Sequence, residues 1–276
     1  MKNRKKSSKK SGLTTRKKIS SLEKNTKKKI VKPKIKKSKS RIKTKKAKPK
    51  LSYINTGSKS LDRLLGKGII PGTSVLLLGN PHSGKKPILM NLLKQNCNKS
   101  IGFIVVLTDL GVNNWTSMAK ENNWLCSKKD SIYYVDCYSQ QFNACINSEN
   151  VKCLEVPFTL STLSIAVSDY IDKIEKEGKI PVLVFHSLSS LFERFSESEV
   201  YSFLQFFIGK LKLQNMTSIF TMQLGVHGEN METSISSLMD CIIKMQNGMI
   251  SASGYISIKD KKWHKYKFVK NKLVIE

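Results

Sequence analysis

Eight consecutive residues, Gly79, Asn80, Pro81, His82, Ser83, Gly84, Lys85 and Lys86, have the types and spacing to cradle a phosphate. The pattern that does so is Gly, four residues, Gly-Lys and then Ser or Thr. Gly79, Gly84 and Lys85 meet it, but Lys86 stands where the magnesium-binding hydroxyl belongs. Pro87 is a second departure, because proline has no N–H to give a phosphate, although a first helical turn tolerates it. Against these losses, Lys85 remains, Lys86 adds a cation, and His82 or Ser83 stands in the loop to contact phosphate. The chemistry indicated is electrostatic capture of a phosphate-bearing ligand, with magnesium poorly served.

Such a loop works only if a strand and a helix aim it. The apolar run 75–78 reads as a buried strand entering the loop, and 88–93 reads as the helix leaving it. That arrangement points backbone N–H groups and the positive end of the helix dipole at one spot. Further strands are predicted at 101–107, 132–135, 181–185, 217–222 and 241–245. Helices are predicted between them at 113–124, at 159–177 ending on Gly178, and at 196–213. The last opens on a capping box, Ser196 with Glu199. Alternation of this kind predicts an α/β fold with a mostly parallel central sheet flanked by helices. Short strands near 254–259, 264–269 and 272–275 predict an antiparallel meander at one sheet edge, and 139–156 reads as irregular. Trp115, Met118 and Trp124 read as core residues.

Charge divides the chain at residue 50. Residues 1–50 carry 24 Lys or Arg, a single acid, Glu23, and no aromatic residue. Such a segment cannot bury enough apolar surface to offset the entropy of ordering, so it is expected to be a disordered Lys-rich tail, with one domain over 51–276. The tail has the character of a flexible anchor for nucleic acid, gripping phosphates without sequence preference. An acidic protein, an anionic membrane surface or simple solvation are the alternatives. No apolar run is long enough for a membrane helix and no signal-peptide core follows the basic start. The six cysteines form no Cys-x-x-Cys pair and no cluster with His, so they read as buried thiols of a reducing cytoplasm, with no metal site.

The stretch 56–72, Thr-Gly-Ser-Lys-Ser-Leu-Asp-Arg-Leu-Leu-Gly-Lys-Gly-Ile-Ile-Pro-Gly, resembles the opening of KaiC-like members of the RecA superfamily of P-loop ATPases. The segments 183–188, 221–224 and 236–244 resemble the same family, in order and spacing, over about residues 53–260. KaiC-like domains are common in archaea, and a Lys/Asn/Ile-rich version fits an AT-rich genome. The resemblance implies a RecA-like P-loop fold, ATP or ADP, magnesium, and assembly as a homo-oligomer or with a partner ATPase. Position by position, the catalytic groups depart from it. His186 stands at the Walker B position, where the family places an acid to hold the magnesium water shell; an imidazole is a poor partner for a hard cation. Where the family places a pair of glutamates after the second strand, the chain has Thr108 and Asp109. Asp109 is the candidate base for the attacking water, the alternative being a cap on the next helix. Lys259, Lys261 and Lys262 lie where the family's trans-acting fingers occur, the alternative being a solvated turn. Two readings follow. One is a cytoplasmic, nucleoid-associated pseudo-ATPase that binds nucleotide or is a relic, tethered to nucleic acid. The other is an active ATPase of recombination, repair or signalling.

Overall fold

The computed structural model describes residues 53–97, 100–126 and 131–276. The Lys-rich tail lies outside the described residues. The described chain folds as α1 (Lys59–Leu64), β1 (Ser74–Gly79), α2 (Lys85–Asn96), β2 (Ile101–Leu107), α3 (Val112–Glu121), β3 (Ile132–Asp136) and β4 (Val151–Cys153). Then come α4 (Leu160–Lys176), β5 (Ile180–His186), α5 (Glu197–Leu213), β6 (Thr217–Gln223) and α6 (Glu229–Ser237). Four strands close it: β7 (Cys241–Gln246), β8 (Met249–Ser253), β9 (His264–Val269) and β10 (Lys272–Ile275).

One sheet runs in the order β10-β9-β8-β7-β1-β6-β5-β2-β3-β4. Every pair from β7 to β4 is parallel, and β7–β8, β8–β9 and β9–β10 are antiparallel. The α/β fold with its antiparallel C-terminal edge is therefore as predicted. Central strands read as unbroken apolar runs because both faces are covered. Val75 and Leu77 of β1 pack in one core layer, and Leu76 and Leu78 in the other. Likewise Val182 and Val184 of β5 face one layer, Leu183 and Phe185 the other.

The local signals for α4 and α5 hold. Thr159 and Ser196 each form a reciprocal capping box, the latter with Glu199, and Gly178 follows α4 at a φ of 74°. Other expectations need correction. The segment 254–259 is not a strand; its strand lies earlier, at Met249–Ser253. The reason is a two-residue turn, Asn247-Gly248, with φ values of 51° and 74°, the twist that joins antiparallel neighbours without splaying them. Lys270 and Asn271 repeat the device between β9 and β10 with φ of 48° and 64°. The irregular stretch 139–156 contains β4 and a short 3-10 turn, Ser139–Phe142. Helix α3 stops at Glu121, so Trp124 lies in the following loop, although it and Trp115 are core residues as expected. Helices α1 and α6 were not foreseen as elements.

The thiol expectation holds for Cys137 and Cys241, which are buried and unbonded. It fails for four others: Cys97 pairs with Cys126 and Cys145 with Cys153, at Cα separations of 5.9 and 6.2 Å. Chain folding brings these residues together from 29 and 8 positions apart, a relation that no local spacing encodes. The cysteines consequently give no support to a reducing compartment.

Asp136 ties three segments at the end of β3. Its carboxylate accepts from Val112 N at 2.8 Å, Tyr138 N at 2.9 Å, Ser139 N at 2.8 Å and Ser139 Oγ at 2.7 Å. Asp136→Ala would leave several buried donors unpaired. It is expected to destabilise the fold by about 3 kcal/mol, read as a lower urea midpoint with unchanged slope.

Candidate functional site

The parallel register sets the C-terminal ends of the central strands level. Gly79 pairs with Gln223 and with Met245, and Leu107 pairs with His186. The 79–86 loop, Asp109 just beyond β2 and His186 at the end of β5 therefore share one edge of the sheet, where α/β folds build their sites.

The loop has the local geometry its glycines allow. Gly84 caps α2 at a φ of 96°, and a Cβ there would sit 2.2 Å from the Phe268 ring, so only glycine fits. The first-turn N–H groups of α2 have no intrahelical partner, and Pro87 supplies none. Lys85 is 7% exposed. Its ammonium donates to Gly79 O, to Asn80 O at 2.7 Å and to Ser83 Oγ at 3.4 Å, so it spans the loop from within. Burial, reinforced by repulsion from Lys86, lowers its pKa to about 8, partly offset by Asp109.

Three groups stand opposite. Lys86 Nζ lies 3.9 Å from Asp109 Oδ2, and His186 Nε2 lies 3.4 Å from the same oxygen. Burial, followed by the two lysine charges, holds the His186 pKa down to about 3, so the contact with Asp109 is not an ion pair. Nδ1 of His186 shares a 2.6 Å hydrogen bond with Thr221 Oγ1. Nε2 of His186 is buried and without a hydrogen-bond partner, as is Asp109 Oδ1. The Asp109 carboxyl is itself raised above the usual range by burial, against the pull of Lys86.

Asp109 does not cap α3. The helix-entry N–H of Val112 is taken by Asp136, and Asp109 turns to Lys86 and His186 instead. Thr108, the other member of the pair, is occupied structurally. Its hydroxyl donates to Ser187 O at 2.7 Å, accepts from Ser187 N at 2.8 Å and meets Ser190 Oγ at 2.6 Å. It locks the end of β2 to the turn after β5 and is 2% exposed.

A cavity of about 300 Å³ opens over the loop, with Lys85, Lys86, Pro87 and His186 on one side and Met118, Asn122 and Trp124 on the other. Sequence reasoning placed the first group there and missed the second, because the end of α3 and the loop after it fold back from 30 residues or more away. It also missed the strap formed by β9. Tyr266 donates its hydroxyl to Ser83 O at 2.8 Å, and Phe268 packs on Gly84. The alternation of Tyr266 and Phe268 is a period-2 signal for one face of a strand, but nothing in it names the loop as the surface covered. The lysines at 259, 261 and 262 are exposed residues before β9 and do not line this cavity.

The donor set can be tested against the groups that such a loop binds. Phosphate oxygens fit: Lys85 and Lys86 line the cavity at the N-terminus of α2, whose dipole favours an anion. Magnesium does not fit at its usual place, because an ammonium and a neutral imidazole occupy the positions of the hydroxyl and the acid.

A parallel sheet with a strand–glycine loop–helix unit, and the strand bearing the Walker B position one strand removed from it across β6, defines a P-loop ATPase fold of the RecA type. The family described as "ATPase: KaiC" matches residues 54–275. The chain belongs to the KaiC ATPase family. Among solved structures, a KaiC-like protein from Pyrococcus horikoshii OT3 superposes with a TM-score of 0.60 at 13% identity, covering 82% of this chain and 100% of that one. Two curated relatives, each named DNA repair protein RadA, from Escherichia coli K12 and Salmonella typhimurium LT2, are 43% identical over 44 residues. That match spans 16% of this chain and 10% of theirs. No helix among the described residues is long and apolar enough to cross a membrane.

Proposed function

We propose that this chain is a KaiC-type nucleotide-binding module that holds ATP or ADP without magnesium and hydrolyses it no faster than background. One observation carries the reading: the two departures at the metal position compensate each other. Lys86 adds a positive charge where the family has a neutral hydroxyl, and His186, neutral with its pKa near 3, removes a negative one. Together they replace the two positive charges of the missing ion. Neutralisation of the phosphates is thus retained, while the metal's other work is lost. In P-loop enzymes the ion bridges phosphate oxygens and stabilises charge developing in the transition state. An ammonium on a flexible stem does not reproduce that bridge. With nucleotide bound, Lys85, which donates to the loop carbonyls of Gly79 and Asn80, and Lys86 would supply the charges that hold the phosphates.

The deciding experiment is calorimetric titration of the protein with ATP and ADP, with and without magnesium. Saturable binding of similar strength in both conditions is expected, weakened several-fold or more by Lys85→Ala. No heat with either nucleotide would make the loop a relic, and a strict magnesium requirement would show the metal ligands to be misplaced. A pH series adds a second readout. Phosphate contact favours charged Lys85, so affinity should hold up to about pH 8 and fall as Lys85 deprotonates above that value. A flat profile between about pH 7.5 and 9.5 would place the phosphates away from Lys85.

The Lys-rich residues 1–50 supply the second half of the proposal, a non-specific tether to nucleic acid. An active ATPase remains the competing reading, and the position of Asp109, 3.4 Å from His186 Nε2 at the end of β2, is what favours it. Magnesium-dependent turnover abolished by Lys85→Ala would establish that alternative.

A further inference from the structure

The folded domain has a basic surface of its own. Residues 259–272 contain seven lysines and one acid, Asp260. Residues 51–276 carry 25 basic and 19 acidic residues, so this short segment holds the whole positive excess of the domain and the remainder is balanced. All seven lysines are exposed. Among the described residues only Lys267 meets an acid, Glu276, at 2.5 Å. Trp263 stands among them, 43% exposed, whereas Trp115 and Trp124 are 1% and 7% exposed.

Beside this segment lies a cavity of about 600 Å³. Tyr53, Arg63, Lys67 and Lys259 contribute to its wall, together with the carboxylates of Asp260 and Glu276. The Tyr53 ring in that wall is 41% exposed. Its volume suits a nucleotide-sized group. Aromatic faces set among cations are the chemistry that single strands require: lysines track the backbone, and a ring stacks on an unpaired base. Duplex DNA hides its bases in the stack. A ribbon could reach them only by entering a groove, but the inner face of β9 is committed to the loop through Tyr266 and Phe268, and Leu273 of β10 is 3% exposed.

We propose that the segment 259–272, with the adjoining cavity, is a binding surface for single-stranded nucleic acid in which Trp263 stacks on a base. It is distinct from the tail: the tail grips phosphates of any nucleic acid, and this surface selects unpaired strands.

The test uses the full-length protein, oligo(dT) and a duplex of equal length, at a salt concentration high enough to suppress the tail's contacts. Oligo(dT) is expected to quench tryptophan emission, and the duplex to leave it unchanged, since Trp263 is the exposed indole. Trp263→Ala should abolish the quenching and weaken oligo(dT) binding about tenfold without altering duplex binding. Trp263→Phe should retain most of the affinity, because a smaller ring still stacks. Replacing Lys261, Lys262 and Lys265 together by Glu should lower the single-strand salt slope. If saturating oligo(dT) leaves the emission unchanged, or if Trp263→Ala binds oligo(dT) as tightly as the natural chain, the proposal is wrong. The lysines would then serve an acidic protein or a second copy.

Discussion

A double replacement, Lys86→Ser with His186→Asp, is expected to turn magnesium-independent nucleotide binding into magnesium-dependent binding. Without metal, the pair of changes removes two positive units from beside the phosphates. At an effective dielectric near 20, a charge about 4 Å away contributes on the order of 4 kcal/mol, so even a strongly screened loss should exceed about 3 kcal/mol, some hundredfold in affinity. With magnesium, the hydroxyl and the new carboxylate recover the oxygen ligands that the ion wants, and affinity should return. With magnesium present, each single change should bind worse than the pair. His186→Asp alone sets a second carboxylate against Asp109, whose own acid is already raised by burial, and abandons the hydrogen bond to Thr221. Lys86→Ser alone deletes the cation and gains no carboxylate to hold a metal. Calorimetry on the four proteins, with and without magnesium, measures this. If the double variant binds ATP as the natural chain does, irrespective of metal, then Lys86 and His186 do not act as a stand-in for the ion. Restored turnover is not required, since Pro87 still lacks its N–H.

The larger effect in absolute terms belongs to residues 1–50. Their 24 basic side chains and one acid should dominate affinity for duplex DNA. Each phosphate neutralised contributes about 0.9 to the slope of log affinity against log salt, and six to ten contacts cost roughly 10³ to 10⁵ in affinity between 50 and 200 mM salt. The full chain should therefore show a steep slope on two unrelated duplexes, with little preference between them, because phosphate contacts carry no sequence information. Deleting residues 1–50 should remove most of that duplex affinity and leave the thermal transition of the domain nearly unchanged. Isotherms in a salt series on both proteins test it. Equal duplex affinity with and without the tail, or no duplex binding near physiological salt, would transfer the tail to an acidic protein partner.

What was legible in the sequence was whatever depends on neighbours in the chain. The strand–loop–helix unit at 75–93, the capping box at Ser196, the helix end at Gly178 and the layered apolar runs are short-range signals, and they fold as read. The departures at Lys86, Pro87 and His186 are also visible as residue types, which is why the catalytic doubt precedes any structure. The hairpin turn Asn247-Gly248 was legible too, and a misplaced strand at 254–259 shows the cost of passing over it.

The sequence by itself determined the parallel α/β class, the phosphate loop and the uneven charge, because propensity, periodicity and motif spacing act over a few residues. Only the tertiary structure decided what those groups meet. It turned Asp109 toward Lys86 and His186 and left the helix entry to Asp136. It gave Thr108 to the Ser187 turn, laid Tyr266 and Phe268 across the loop from nearly 200 residues away, and paired four cysteines. It also set the protonation of the site, since burial, a property of the packed whole, is what keeps His186 neutral and brings Lys85 down to about 8. Contacts of that range depend on sheet register and crossover geometry, to which no single stretch of chain holds the key.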